Sequence, residues 1–125
     1  MTENEIAKQV ANACYSIHIE LGPGLLESVY EEILCYELKT HGLRVERQKS
    51  IPFFWKDTKM DIGFHADIIV ENKVIIELKS VELIAPAHTK QLLSYLRITG
   101  LKLGLLINFN ERLIKNGITR IVNIY

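Results

Sequence analysis

Three charged residues interrupt two apolar runs between positions 64 and 80. Asp67 lies near the start of the first run, and Glu77 and Lys79 lie in the second. Both runs are rich in β-branched residues and flank a polar break at residues 71–73, which predicts a β-hairpin. Burying an isolated charge costs on the order of several kcal/mol, so a purely structural strand would carry Val or Thr at these positions.

The register of this hairpin decides whether the three charges meet. Glu77 and Lys79 are two positions apart, so they share one face of their strand. If residues 71–73 form a three-residue loop, Asp67 lies opposite Glu77 on the same face, about 5 Å away. A two-residue turn would aim Glu77 at the other face. A convergent site therefore requires the longer loop or a compensating bulge.

Two carboxylates beside a lysine suit metal-dependent hydrolysis of a phosphodiester. Carboxylate oxygens bind Mg²⁺ or Mn²⁺, and such a metal activates water and offsets charge on the phosphate. A nearby lysine positions or deprotonates the water, or stabilises the developing negative charge. The same residues also suit a buried or half-exposed ion pair. The pattern alone is too loose to separate the two interpretations.

Length and charge limit the classes of protein. The 125 residues predict a single domain over positions 1–125. Fifteen basic and fifteen acidic residues give no net charge, which disfavours tight, unaided binding to nucleic acid. Residues 39–59 nevertheless contain more basic than acidic side chains, which predicts either a phosphate-attracting patch or a solvated strand face.

The chain has no sequence signal for a membrane or for secretion. No apolar run approaches the roughly 20 residues of a membrane span, and the N-terminus does not resemble a signal peptide. Cys14 and Cys35 are isolated in apolar segments, which predicts reduced core thiols in a cytoplasmic protein, with a single disulfide as the alternative.

The hydrophobic pattern predicts an α/β fold with a mixed central sheet flanked by helices. A helix followed by an apolar strand predicts a crossover, so the strand over residues 101–109 is expected to join the sheet in parallel. The predicted elements are helices at 2–21, 25–41 and 86–99, and strands at 43–55, in the two runs of 64–80, at 101–109 and at the sheet edge 118–125.

Two of the predicted helices carry polar clusters. Glu27, Tyr30 and Glu31 stand at positions i, i+3 and i+4, so they lie on one side of the second helix. Acidic residues near a helix start also stabilise the helix dipole, which is the simpler explanation for the two glutamates. Gln91 and Tyr95 lie one turn apart on one face of the third helix.

Residues 24–30, Gly-Leu-Leu-Glu-Ser-Val-Tyr, resemble the signature of the GxxExxY proteins. That family is placed in the PD-(D/E)XK nuclease-like superfamily, whose restriction-endonuclease-like core has the order α-β-β-β-α-β. This is the order predicted here from the second helix onward, with an extra N-terminal helix and a C-terminal strand. Further blocks that resemble the family occur in order at residues 17–23, 64–67, 76–79, 88–97, 105–109 and 116–123.

The resemblance implies a metal-dependent nuclease with Mg²⁺ or Mn²⁺ as its cofactor. Asp67 and Glu77 stand at the positions of the metal-binding carboxylates, and Lys79 stands at the position of the catalytic lysine. Gln91 and Tyr95 match the QxxxY motif of recombination exonucleases, which helps position the substrate or the metal site. Ala66 departs from the family pattern, which often has Pro before the Asp.

The resemblance also implies roles for the cluster on the second helix. Glu27 matches the family's helix glutamate, and in related nucleases such a residue approaches the metal. Glu31 is expected to share that role or to position the substrate, and Tyr30 is expected to position the substrate.

The implied partner is nucleic acid, DNA rather than RNA, with no membrane involved. A homodimer through the terminal edge strand, or a protein partner, is a further hypothesis. The alternative to an enzyme is a catalytically silent module that keeps the nuclease fold and binds nucleic acid or a protein. The zero net charge and the small size motivate that alternative.

Overall fold

The computed structural model describes residues 1–124 and shows a five-stranded mixed sheet flanked by three helices. The elements are α1 (Glu3–Leu21), α2 (Glu27–Thr40), β1 (Val45–Ile51), β2 (Phe54–Trp55), β3 (Thr58–Lys59), β4 (Phe64–Val70), β5 (Val74–Lys79), α3 (Pro86–Thr99), β6 (Leu103–Asn108) and β7 (Ile118–Val122), with a 3₁₀ turn at Ile114–Asn116. The strands of the sheet stand in the order β1-β4-β5-β6-β7, with β5 and β6 parallel and the other neighbours antiparallel.

The order α2-β1-β4-β5-α3-β6 is the predicted restriction-endonuclease-like core. The helix α1 and the strand β7 are the two predicted additions, and the parallel crossover from β5 through α3 to β6 is confirmed. The predicted final strand ends earlier than expected, at Val122, and Tyr125 lies outside the described residues.

Local signals set the helix ends. Thr2 caps α1 by accepting a hydrogen bond from the backbone N–H of Glu5, and the Glu5 carboxylate accepts one from the backbone N–H of Thr2. Pro86 opens α3, and Gly100 closes it with a φ of +75°, a conformation that favours glycine. These boundaries agree with the predicted ones because each depends on residues close in sequence.

Each face of the sheet carries its own apolar cluster. The helices α1 and α2 pack on one face with Ile68 and Ile76, whereas α3 packs on the other with Ala66 and Ile75. Because side chains alternate along a strand, Glu77 faces α3, as Ile75 does. The α3 face is therefore the face on which β5 places Glu77 and, two residues later, Lys79.

The predicted strand over residues 43–55 is wrong beyond Ile51. Pro52 has no N–H to donate and ends the pairing of β1 with β4, so Phe54–Trp55 instead pairs with Thr58–Lys59 in a separate hairpin. The turn of this hairpin consists of Lys56, with a φ of +56°, and its neighbour Asp57.

Cys14 and Cys35 are free and buried, which confirms the prediction of core thiols over a disulfide. Burial raises the pKa of both thiols, that of Cys35 to about 11, so both stay protonated near neutral pH. Among residues 1–124, none of the helices has the length and apolar character needed to cross a membrane.

Candidate active site

The connection between β4 and β5 is the three-residue loop that a convergent site requires. Val70 pairs with Val74 across it, and Glu71 and Asn72 adopt positive φ values of 53° and 52° to close it. The pairing continues through Ile68 and Ile76. In this register the next two residues, Asp67 and Glu77, stand opposite each other.

The backbone pairing of β4 with β5 ends at this acidic pair, and hydrogen bonds to side chains replace it. The backbone N–H of Asp67 donates to Glu77 Oε1 over 3.3 Å. The backbone N–H of Leu78 donates to Asp67 Oδ2 over 2.9 Å. Each carboxylate thus reaches across to the other strand, and the two meet as the sequence predicts.

Strand β4 changes face at Asp67. Ala66 packs in the α3 cluster and Ile68 packs in the α1–α2 cluster, although strict alternation would put both on one side. Opposite Asp67 on β1, Gln48 has a φ of +50° and is left out of the pairing, although Arg47 and Lys49 on either side of it pair with Ile68 and Ala66. Such left-handed backbone costs about 1–3 kcal/mol in a residue other than Gly and occurs preferentially at functional sites.

Gln48 links the acidic pair to α2. Its side-chain Nε2 donates to Glu31 Oε1 over 2.7 Å and to Asp67 Oδ1 over 3.3 Å. The other oxygen of Glu31 accepts a charge-assisted hydrogen bond from Arg47 Nε over 2.6 Å. The network Arg47–Glu31–Gln48–Asp67 therefore fixes one oxygen of Asp67 from the helix side.

Sequence reasoning missed Gln48. No motif contains it, and its role depends on its pairing position opposite Asp67, which the sequence does not reveal. The nearest signal was its place in the polar stretch of β1, which was interpreted only as a basic patch.

Glu77 is a buried carboxyl group beside a second carboxyl group. Its residue is 5% exposed. Burial first, and then the charge of Asp67 and a hydrogen bond with it, raise the pKa of Glu77 to about 9, against the opposing effect of the Lys79 charge. Without a cation, the pair therefore holds a proton at neutral pH, and a divalent cation would take the place of that proton.

The donor set fits Mg²⁺ or Mn²⁺ better than a metal that needs a closed protein cage. Among residues 1–124, no group of three or more His, Cys, Asp or Glu side chains gathers to hold a metal. The protein donors at this site are thus the two carboxylates. Mg²⁺ commonly binds through one or two carboxylates, keeps several waters and completes its shell with substrate phosphate oxygens.

Lys79 ends β5 on the same face as Glu77 and is half-buried. The segment that follows it is held firmly. The backbone N–H of Phe109 donates to the Lys79 carbonyl over 3.0 Å. The buried Asn108 side chain accepts a hydrogen bond from the N–H of Val81 and donates one to its carbonyl. The end of β6 therefore fixes the direction in which the chain leaves the site.

The α3 side of the site contains Tyr95 and Gln91. Tyr95 stacks on Phe64 with ring centroids 3.8 Å apart and an interplanar angle of 11°. Burial raises the pKa of Tyr95, and the charges of Glu77 and Asp67 raise it further, so its hydroxyl lies within electrostatic range of the acidic pair. Gln91 is exposed one turn earlier and, in the described part of the chain, makes no side-chain hydrogen bond.

The three residues of the polar cluster predicted on α2 differ in their exposure: Glu27 is exposed, whereas Tyr30 and Glu31 are buried. Glu27 is exposed at the first turn and lines an open cavity of about 450 Å³ with Ser80 and Asn110, just beyond the ends of β5 and β6. It stands at the Lys79 end of the sheet, and within residues 1–124 it forms no ion pair.

The expectations for Tyr30 and Glu31 require correction. Tyr30 has no exposed surface and stacks on Phe109 at 4.3 Å, and its hydroxyl accepts a hydrogen bond from Leu25 N–H and donates one to the Gly22 carbonyl. It holds the turn before α2 and has no exposed surface with which to contact a substrate. Glu31 is buried with both oxygens engaged, so it acts on Asp67 through Gln48.

Comparison with known families gives one match, over residues 4–121, to the PD-(D/E)XK nuclease superfamily. Neither the curated proteins nor the solved structures gave a match. The family match covers nearly all of the chain, including every strand of the sheet except the last residue of β7. The chain therefore belongs to the PD-(D/E)XK nuclease superfamily.

Proposed function

We propose that the protein is a metal-dependent nuclease that hydrolyses nucleic-acid phosphodiester bonds. The observation that carries this proposal is the convergence of Asp67 and a buried Glu77 where the backbone pairing of β4 with β5 ends. A strand pair that only supported a fold would continue its hydrogen bonds there. Membership in a nuclease superfamily supports the same assignment.

Asp67 and Glu77 hold the Mg²⁺ or Mn²⁺ ion, which when bound would activate water and neutralise charge on the phosphate. Lys79 orients the attacking water and stabilises the negative charge that grows on the phosphate oxygens. The water oxygen forms a bond to phosphorus, and the bond to the leaving sugar oxygen breaks. The attacking water gives up a proton to solvent and the leaving oxygen takes one up, so the products are one phosphate end and one hydroxyl end.

The exposed residues around this centre are assigned to substrate contact. Gln91 and Glu27 bind the outer waters or the sugar–phosphate backbone, one from α3 and one from the start of α2. Tyr95 forms the wall beside the acidic pair.

DNA is the expected substrate, and the cytoplasm is the expected location. A homodimer through the edge strand is a further hypothesis. Light scattering tests it, and a monomeric mass would contradict it.

A catalytically silent module that keeps the nuclease fold and binds nucleic acid or a protein is the second candidate. The balanced charge of the chain motivates it, because fifteen acidic residues oppose fifteen basic ones and weaken the attraction to phosphate that a nuclease acting alone would need. The two candidates differ in one measurable outcome, which is whether bonds are broken.

Cleavage assays separate these candidates. Labelled single-stranded and double-stranded DNA and RNA are incubated with the protein and Mg²⁺, Mn²⁺, Ca²⁺ or EDTA. We expect cleavage with Mg²⁺ or Mn²⁺ and none with EDTA. Salt-dependent binding with no product under any metal would favour the silent module.

Gln48 provides a graded test of the same site. Replacing Gln48 by Ala removes the donor to both Glu31 and Asp67 while leaving the Arg47–Glu31 pair in place. We expect Mg²⁺ affinity, measured by calorimetry, to fall about tenfold, because partners that orient metal ligands typically matter to that extent. The control is Gln9→Ala, on α1. Equal affinities for both variants would contradict the role given to Gln48.

A further inference from the structure

The small hairpin between β1 and β4 carries an exposed aromatic surface that the proposed chemistry does not use. Phe54 and Trp55 in β2 are 55% and 63% exposed, and Ile62 beyond β3 is 81% exposed. Aromatic residues in a protein of this size are ordinarily drawn into the core. Here Pro52 and the turn at Lys56 direct them away from it.

Phe54 and Trp55 are consecutive in β2, so their rings point to opposite faces of the hairpin. Through Ile62 the hairpin continues toward the acidic pair. An open cavity of about 470 Å³ lies at the base of the hairpin and is lined mainly by apolar side chains, among them Phe53, Ile62 and Phe64. Phe64 also stacks on Tyr95, which lies within electrostatic range of Glu77. The cavity therefore shares the Phe64 wall with the candidate active site.

Each exposed ring of β2 has a lysine beside it. Lys56 Nζ lies 6.0 Å from the ring centroid of Trp55. Lys59 is paired with Phe54 across the hairpin, so the two side chains share a face. In the described part of the chain neither lysine forms an ion pair. Asp57 and Asp61 make the hairpin neutral overall, so stacking must supply more of any binding energy than charge does.

We propose that this hairpin binds unpaired nucleobases, so that the substrate is single-stranded or frayed nucleic acid. This inference rests on the proposed nuclease function and specifies its substrate. Flat aromatic faces with neighbouring cations bind the bases and phosphates of a single strand, and stacking is indifferent to sequence. A duplex keeps its bases stacked on one another and exposes only groove edges and phosphates, so it offers these rings little.

The alternative occupants fit the observations less well. A protein partner or a second copy of the chain would bury the same apolar surface. Neither accounts for a lysine beside each ring, nor for the shared wall with the acidic pair. A second copy predicts a Trp55 signal that depends on protein concentration alone, and a protein partner predicts no preference for the single strand.

The test uses Trp55, the only tryptophan of the chain, as its own probe. In EDTA, its fluorescence is recorded while three oligonucleotides of equal length are added: a single strand, a blunt duplex, and a strand of abasic sites with the same phosphates. We expect the single strand to quench the fluorescence and to bind at least about tenfold more tightly than the other two. Equal responses to all three would overturn the proposal.

Variants provide a second, independent measurement. Binding of a labelled single strand is followed by anisotropy for Trp55→Ala and for Tyr36→Ala, a matched exposed aromatic residue on α2. We expect about tenfold weaker binding for Trp55→Ala and no change for Tyr36→Ala. Equal affinities would overturn the proposal. If Trp55→Ala fails to fold, the quenching of the unmodified protein decides alone.

The outcomes also separate this inference from the nuclease assignment. Preferential binding of the single strand in EDTA, with no cleavage under any metal, keeps the hairpin site and removes the nuclease. Cleavage of every substrate with no response of Trp55 keeps the nuclease assignment and removes the hairpin site. A Trp55 signal that changes with protein concentration alone assigns the surface to a second copy and overturns the proposal.

Discussion

Replacing Asp67 by Asn is expected to lower the rate of Mg²⁺-dependent cleavage by about 10³-fold or more. The amide keeps the size of the carboxyl group and still offers an oxygen to the Leu78 N–H. It lacks the negative charge that draws a divalent cation to the pair. The loss therefore reports on metal-assisted chemistry, with little contribution from folding.

Lys79→Met belongs to the same experiment and tests a different role. The thioether chain fills similar space but carries no charge, so we expect a loss of about 10²–10³-fold in rate. Binding of Mg²⁺ should persist in Lys79→Met and disappear in Asp67→Asn. The control is Glu82→Gln, an exposed carboxylate shortly after β5, which should cleave at the normal rate. Cleavage by Asp67→Asn at the wild-type rate would contradict the assignment of the site.

Glu77→Gln is expected to stabilise the metal-free protein at neutral and alkaline pH. The pKa of Glu77 is raised to about 9 by burial and by Asp67, against an ordinary value near 4.5. The folded state therefore keeps a proton that the unfolded chain releases. Stability from this group is complete below about pH 4.5 and is lost as pH rises toward 9, so the advantage of Gln grows over that interval.

The gain at pH 7.5 is on the order of a few kcal/mol, since each pKa unit between the two states corresponds to about 1.4 kcal/mol. Urea denaturation in EDTA, from about pH 5 to about pH 9, measures this gain for both proteins, because the range lies between the unfolded and folded pKa values of Glu77. Glu46→Gln is the control. A hydrogen bond from Lys49 lowers the pKa of Glu46, so removing the Glu46 charge should not stabilise the fold. A variant less stable than the wild type at pH 8 would contradict the described electrostatics.

Mg²⁺ should reverse the order of these two proteins. A cation bound only to the folded state stabilises it in proportion to the logarithm of its concentration over its dissociation constant. The wild type gains this stabilisation, whereas Glu77→Gln has lost one of the two ligands and gains less. Burying two carboxyl groups together lowers the stability of the metal-free protein, and binding of Mg²⁺ to them would offset that loss.

Those parts of the fold that depend on neighbouring residues are predictable from the sequence. Thr2 and Glu5 mark the start of α1, and Pro86 and Gly100 enclose α3. The three-residue loop after Val70 fixes the register of β4 and β5, which is enough to bring Asp67 and Glu77 together. The acidic pair is therefore predictable from this hairpin alone, whatever the pairing of the remaining strands.

The remainder of the site depends on contacts between distant segments. Gln48 reaches Asp67 only because β1 pairs with β4 and because its own backbone adopts a positive φ. Tyr30 has the spacing of a surface cluster, yet Phe109 from the other end of the chain stacks on it and buries it. Phe54 and Trp55 have the composition of a buried strand, but Pro52 ends the pairing before them. In each case the pairing partner, which periodicity does not identify, sets the outcome.

The central claim is that Asp67 and Glu77 hold a divalent cation. Its most direct test is anomalous X-ray scattering from crystals of the wild-type protein soaked in Mn²⁺. We predict a single strong manganese peak bonded to a carboxylate oxygen of Asp67 and to one of Glu77, and no peak in crystals of Asp67→Asn. A wild-type crystal with the two side chains in their described positions and manganese bound only elsewhere would contradict the claim.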